Sequence, residues 1–208
     1  MYHFHVADDH PLFRNAILEV IQHHYPNSKV SQSINLDSTI TELEKNEDID
    51  LLLLDLHMPG STGLFGLIMV REKFPSIPVA IISASEEINT ISRAMGHGAC
   101  GYIPKSCSPQ DIQQAIEAIM NGNRWVPEEF KNNLTPVNHE EKDLAAKIAT
   151  LTPQQYRVLC YMREGWLNKQ IGYEMGVTEA TVKAHITAVF RKLEISNRTQ
   201  AVILMKDF

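Results

Sequence analysis

No apolar run in these 208 residues approaches the length of a bilayer-crossing segment, so a membrane-spanning protein is not expected. The start, Met1-Tyr2-His3-Phe4-His5, lacks the basic flank and apolar core of a secretion signal. Cysteine is scarce. Cys100, Cys107 and Cys160 are odd in number, widely spaced, and form no CxxC or Cys/His pattern. That excludes a disulfide scaffold and a structural zinc site, and points to free thiols in the cytoplasm. Repeats and low-complexity segments are also lacking. What remains is ordinary for a globular chain, with 44% hydrophobic and 21% charged residues. The length suits one large or two small domains.

Charge is uneven along the chain. Residues 148–208 hold 8 Lys+Arg against 5 Asp+Glu, net +3, and the preceding 147 hold 11 against 20, net −9. An acidic front and a mildly basic tail suggest two units with different partners, the tail leaning toward nucleic acid.

The front alternates. Strands are expected near 2–7, 28–34, 51–54, 79–82 and 99–103, with helices near 11–24, 37–46, 63–73, 86–95 and 108–121. Five strands alternating with five helices predict an α/β five-stranded doubly wound parallel sheet over residues 1–123. Residues 124–147 are polar, with Pro127, Pro136 and Glu140-Glu141, and read as an exposed linker that turns partly helical. Residues 148–208 read as a small all-α four-helix domain, with helices near 153–163, 168–175, 179–193 and 197–206. Thr152 with Gln155 predicts a capping box, and Asn168 and Thr178 are expected caps.

Asp55 ends the run Leu51-Leu52-Leu53-Leu54 and precedes Met58-Pro59-Gly60. A leucine run suits a strand buried on both faces, and a carboxylate where it ends lies at the ligand-binding edge of an open sheet. One such Asp also fits a plain turn. The partners decide: strand one ends at Asp8-Asp9, strand four at Ser83, and Lys105 follows strand five. Three carboxylates at one edge repel and call for a hard cation, and this donor set suits Mg²⁺. Asp55 could then act as nucleophile toward phosphorus, with Ser83 donating to the phosphoryl oxygens and Lys105 neutralising them. His3 and His5 would share a face of strand one, a pattern that more often means packing than metal binding.

Ala7-Asp8-Asp9-His10-Pro11, Asp55-Leu56-His57-Met58-Pro59-Gly60, Ser83-Ala84 and Gly101-Tyr102-Ile103-Pro104-Lys105 resemble the receiver domain of bacterial two-component response regulators. The resemblance implies that Asp55 is the phosphoacceptor. Asp8, Asp9, Asp55 and the backbone carbonyl of His57 would arrange Mg²⁺. Ser83 and Lys105 would bind the phosphoryl group, and Tyr102 would be the aromatic switch. His57 and Ser85 are expected to set the lifetime of the aspartyl phosphate. Receivers often place Pro, with a cis bond, directly after the lysine; here Ser106 follows Lys105.

In the rear, Gly176-Val177-Thr178 has the length of a helix-turn-helix connection. The helix over 179–193 puts Val182, Ile186, Val189, Phe190 and Leu193 at core spacing. Its other face carries Lys183, Ala184, Thr187, Arg191 and Lys192, which suits groove entry or, equally, a solvated face of a dimerisation bundle. Leu151-Thr152-Pro153, Asn168-Lys169-Gln170-Ile171, Thr181-Val182-Lys183-Ala184-His185, Lys192-Leu193 and Asn197-Arg198-Thr199-Gln200-Ala201-Val202 resemble the LuxR-type helix-turn-helix. With the receiver, the chain is similar to the NarL/FixJ family of response regulators. That implies base contacts from Lys183, Ala184 and Thr187, and backbone contacts from Lys169, Thr181, Lys192 and Arg198. Two departures stand out: Gln154-Gln155 where relatives often carry Arg-Glu, and Thr187 where many carry Lys. Implied partners are a sensor histidine kinase, double-stranded promoter DNA, a second copy when phosphorylated, and RNA polymerase.

Three rivals remain. An aspartyl phosphohydrolase would want an acid two residues beyond Asp55, where His57 stands, and a capping domain that is missing. A phosphorylation-independent DNA-binding regulator would use the receiver only as an interaction module, and the intact site residues count against it. A ligand-sensing LuxR protein has no use for the phosphoacceptor set.

Overall fold

The computed structural model describes residues 1–46 and 48–205. The chain divides into two compact units, Met1–His139 and Glu140–Phe208.

The first unit alternates β1 His3–Ala7, α1 Pro11–His24, β2 Lys29–Ser33, α2 Leu36–Lys45, β3 Leu51–Asp55, α3 Phe65–Lys73, β4 Val79–Ser83, α4 Ile88–Gly96, β5 Gly101–Pro104 and α5 Pro109–Met120. All strand pairings are parallel, in the order β2-β1-β3-β4-β5. The expected doubly wound sheet is therefore present. Parallel strands need crossovers, and helices on both faces bury the sheet on both sides. Every residue of β1, β3, β4 and β5 is buried; only β2, at the edge, is partly open.

Alternation assigns the faces. Phe4, Val6, Leu51, Leu53, Ala80, Ile82 and Ile103 form one core with Ile17 and Ile21 of α1 and Ile112, Ala115, Ile116 and Ile119 of α5. The opposite face of β1 is unusual. His3 and His5 are buried there, His5 completely. Both use the β2 hydroxyls: His5 Nδ1 lies 2.7 Å from Ser31 Oγ, and Nε2 lies 2.9 Å from Ser33 Oγ. Their role is packing, as expected of strand histidines.

The stretch expected as an exposed linker carries structure. Trp125 forms a parallel bridge to Gly101. Its carbonyl accepts from Tyr102 N–H at 2.9 Å, and its N–H donates to Cys100 O at 3.1 Å. Val126 is buried, the Arg124 guanidinium donates to Met95 O, and Thr135 N–H donates to the buried Ser92 Oγ at 3.1 Å. A short helix α6, Glu128–Lys131, and then α7, His139–Ala149, follow.

The second unit holds α8 Pro153–Arg163, α9 Asn168–Met175, α10 Glu179–Leu193 and α11 Arg198–Leu204, preceded by α7. Helix α10 packs against α8 and α9 through Val182, Val189 and Leu193, and α11 packs against α8. Thr152 and Gln155 form the expected capping box, and Thr178 Oγ1 accepts from Thr181 N–H at 3.1 Å. Asn168 is not a cap. It is the first helical residue, the cap position is Leu167, and Gln170 Oε1 satisfies the Leu167 N–H at 2.7 Å. Gly176 closes α9 at φ 66, a left-handed conformation that other residues rarely adopt.

Candidate functional site

Parallel strands point their carboxyl ends to one edge, so β1, β3, β4 and β5 deliver Asp8-Asp9, Asp55, Ser83 and Lys105 together. Lys105 is the hub. Its Nζ lies 2.8 Å from Asp8 Oδ2 and 2.8 Å from Asp55 Oδ2, and 5.2 Å from the centre of the Phe13 ring. Asp8 is wholly buried and Asp55 nearly so. Burial alone would lower the Lys105 ammonium, but the two carboxylates outweigh it and hold its pKa above the ordinary value.

The loops that follow the strands are tied back to these groups. Asp8 Oδ1 accepts from His10 N–H at 2.7 Å, and Asp55 Oδ1 accepts from His57 N–H at 3.1 Å. Ser83 Oγ accepts from Ser85 N–H at 3.1 Å, and Lys105 N–H donates to Ser83 O at 2.7 Å. The Tyr102 ring is fully buried, and its hydroxyl donates to Ser85 O at 2.8 Å. Burial pushes that phenol above its ordinary pKa, so it remains a neutral donor. The peptide after Lys105 is trans, and Ser106 Oγ donates to Glu86 Oε1 at 2.6 Å, joining the β4–α4 and β5–α5 loops.

Ligand atoms of Asp8, Asp9, His10 and Asp55 all lie within 4.8 Å of one another. Among the described residues no other His, Cys, Asp or Glu group clusters this way. Three carboxylates supply hard oxygen donors, the chemistry that fits Mg²⁺. His10 falls within the Ala7–Pro11 motif, but the sequence alone gives it no role at the site. It sits at the N-cap of α1, where a residue ordinarily signals only a helix start.

In the second unit, Lys183, Ala184 and Thr187 are exposed along α10. Lys183 Nζ lies 2.9 Å from Glu179 Oε1, and Thr187 Oγ1 donates back to Lys183 O at 3.0 Å. Lys169 is exposed at the start of α9. Thr181 Oγ1 lies 2.9 Å from Thr178 Oγ1 at the start of α10. Two other basic residues are engaged within the unit. Lys192 Nζ donates to Gln155 Oε1 at 2.8 Å, and the half-buried Arg198 guanidinium donates to the Trp166 carbonyl. Burial lowers the Arg198 pKa from its ordinary value.

Residues 4–117 match the response regulator receiver domain family, and residues 149–205 match the luxR family of bacterial regulatory proteins. The chain is 41% identical over 212 residues to the glycerol metabolism activator of Pseudomonas putida, covering 100% of this chain and 96% of that one. It is 32% identical over 205 residues to the nitrate/nitrite response regulator protein NarL of Escherichia coli K12, covering 95% and 92%. Among solved structures, the RcsB response regulator of Salmonella typhimurium shares the fold, with a TM-score of 0.60 and 20% identity over 99% of this chain and 100% of that one. RcsB from Salmonella enterica serovar Typhimurium bound to promoter P1flhDC with the phosphomimetic BeF3⁻ matches with a TM-score of 0.60 and 22% identity, covering 99% and 98%. The chain belongs to the NarL/FixJ family of response regulators, in which a receiver domain is joined to a LuxR-type DNA-binding domain and regulates transcription.

Proposed function

We propose that Asp55 accepts a phosphoryl group from a sensor histidine kinase, and that this modification controls dimerisation and sequence-specific binding to promoter DNA. The observation that carries it is the paired contact of Lys105 Nζ with Asp8 and Asp55, 2.8 Å each, at the edge where the strands end. That geometry makes Lys105 the counter-ion of a buried carboxylate pair, available to move onto phosphoryl oxygens.

Asp8, Asp9, Asp55 and the backbone carbonyl of His57 would hold Mg²⁺, which supplies charge neutralisation at the phosphoryl oxygens. The Asp55 carboxylate oxygen attacks phosphorus, the donor histidine leaves with its electron pair, and an aspartyl phosphate results. Lys105 and Ser83 then face the three phosphoryl oxygens. Ser83 Oγ, now held by the Ser85 N–H, can turn toward phosphate, and Tyr102 responds through its bond to Ser85 O. The chain's own chemistry is thus limited to self-phosphorylation and self-dephosphorylation at Asp55. We assign residues 1–123 to the receiver, 124–147 to the connection and 148–208 to the DNA-binding domain. Trp125 and Thr135 fasten the early part of that connection to the first unit. Among the described residues no helix is long and apolar enough to cross a membrane, which fits a cytoplasmic regulator.

Incubation with acetyl phosphate and Mg²⁺ should add one phosphoryl mass to the intact chain, and Asp55→Asn should abolish it. An adduct on the folded variant would remove Asp55 from the role.

In the second unit, Lys183, Ala184 and Thr187 would meet base edges and Lys169 and Thr181 the backbone. Lys192 and Arg198 would contribute mainly by holding α10 and α11 in place, since both already bond within the unit. Lys183→Ala should cost about 1–3 kcal/mol of specific affinity, the worth of a good base contact. Fluorescence anisotropy on sites selected by the wild type from a random pool reads this, with circular dichroism unchanged. Equal affinity would move the recognition surface elsewhere. RNA polymerase would be a further partner of the DNA-bound dimer.

A further inference from the structure

The sequence Asp8-Asp9-His10-Pro11 places an imidazole against the acidic cluster. His10 is the N-cap of α1, with extended backbone at φ −86 and ψ 105, and its side chain does not cap the helix. Its backbone is fixed twice over: the N–H donates to Asp8 Oδ1 at 2.7 Å, and the carbonyl accepts from Arg14 N–H at 3.0 Å. The ring therefore has a fixed root and a free end. It turns to the acids, with Nδ1 2.8 Å from Asp9 Oδ1 and 3.6 Å from Asp8 Oδ1. Its side chain is 67% exposed, so solvent and ions reach it.

Those separations are informative. Two neighbouring ligands on an octahedral ion, each about 2.1 Å from the metal, stand about 3 Å apart. The His10–Asp9 spacing of 2.8 Å is close to that value, and all four ligand atoms lie within 4.8 Å.

We propose that His10 is a nitrogen ligand of this cation site and makes it favour first-row transition ions such as Mn²⁺ over Mg²⁺. The inference rests on the reading of the acidic cluster as a cation site. Its chemical basis is donor type. Mg²⁺ takes oxygen and keeps its waters, so it gains little from an imidazole. First-row transition ions accept imidazole nitrogen more readily, in a series that rises from Mn²⁺, its weakest member, through Fe²⁺, Co²⁺ and Ni²⁺. Asp8, Asp9 and Asp55 serve both ions alike, and His10 adds its nitrogen to one of them.

The test uses the full chain and its His10→Ala and His10→Gln variants at pH 8. Calorimetry gives the Mg²⁺ and Mn²⁺ affinities, and pulsed electron spin resonance on bound Mn²⁺ detects ¹⁴N coupling. The expected result is ¹⁴N coupling in the wild type that disappears in both variants. Mn²⁺ affinity should fall on the order of tenfold in the variants while Mg²⁺ affinity stays within about twofold. Mn²⁺ binding without ¹⁴N coupling in the wild type, or coupling that survives in His10→Ala, would overturn the assignment of His10 alone. Equal loss of both affinities would also overturn it, showing that His10 acts only through the Asp9 carboxylate. A wild type that binds neither ion would overturn the cation-site reading and this proposal with it.

Discussion

Lowering the pH from 7 to 5 should cost the first unit about 2 kcal/mol of folding stability through His5 alone, and His5→Gln should remove that loss. His5 is fully buried between β1 and β2, and burial, aided by the charge of His3, pulls its pKa from 6.5 to about 4. In the unfolded chain the same imidazole takes up a proton near pH 6.5. Between about 6.5 and 4 the unfolded state therefore binds more protons than the folded one, and stability falls as pH falls. Above 6.5 the group contributes no pH dependence. Below about 4 both states are protonated, and the accumulated loss levels off near 3 kcal/mol.

The hydrogen bonds explain why the folded state resists. Thr39 Oγ1 donates to Asn35 O at 2.8 Å, so Ser33 must donate to Thr39 across their 2.6 Å contact. Ser33 Oγ is then an acceptor for His5 Nε2, 2.9 Å away, which carries the ring's one hydrogen. Nδ1 must accept from Ser31 Oγ at 2.7 Å. A second proton on the ring would land on Nδ1, facing the Ser31 hydroxyl hydrogen, and that hydroxyl would have to turn away inside a packed layer. His3 Nε2 lies 3.2 Å from the same Ser31 Oγ, which restricts the turn further. Glutamine supplies one donor and one acceptor without titrating. Urea midpoints for wild type and His5→Gln, taken at half-unit steps from pH 7 to 5, read the difference. Parallel curves would show that His5 titrates alike in both states.

Gly172→Ala should unfold or loosen the second unit while leaving phosphorylation at Asp55 intact. In an ordinary helix interior this change stabilises by up to about 1 kcal/mol. Here an added Cβ would stand 2.8 Å from the Val177 carbonyl oxygen and 3.6 Å from Thr178 C and Glu179 N. All three are backbone atoms, two in the turn between α9 and α10 and one at the first residue of α10. The turn cannot yield locally, because Val177 N–H donates to Gly172 O at 2.9 Å. Separating them means moving α9 away from α10, with an overpacking cost of about 1–3 kcal/mol and a displaced recognition helix. The expected readout is a lowered thermal transition for the second unit and DNA affinity below that of Lys183→Ala. The acetyl phosphate adduct serves as the internal control. Wild-type melting with wild-type DNA affinity would show that the turn accommodates the methyl group.

The legibility of this chain in its sequence follows the physics of each element. Leu51–Leu54 and Val79–Ile82 are apolar because both sheet faces are covered, so strands and their ends could be read directly. The strand ends then located Asp8, Asp9, Asp55, Ser83 and Lys105 without knowledge of any contact. The roles of these residues rest on proposal. His10 was illegible because its position against Asp9 depends on where a helix start falls in space. The His3–Ser31–His5–Ser33 ladder was hidden for a related reason: serines on an edge strand look solvated, and only the register pairing His5 with Ser31 makes them partners. Asn168 misled because its type suits a cap, while the cap position falls one residue earlier on Leu167, whose N–H is satisfied by Gln170 Oε1. Order in 124–138 had no signature, because Trp125 joins β5 through its backbone and side-chain patterns are silent about that.

That last feature bears on aggregation. β5 is the outermost strand on its side of the sheet, and an open strand edge is a template for pairing with another chain. Trp125 occupies the Cys100 carbonyl and the Tyr102 N–H on that edge. The residue that leaves the receiver thus also blunts its border. A fragment cut at residue 123 would keep every strand and helix of the sheet yet expose two unpaired backbone groups beside β5. Cutting beyond Val137, whose side chain lies against Gly96 of α4, keeps the shield in place. The sheet's protection against promiscuous strand addition is supplied by residues that a composition-based boundary would discard.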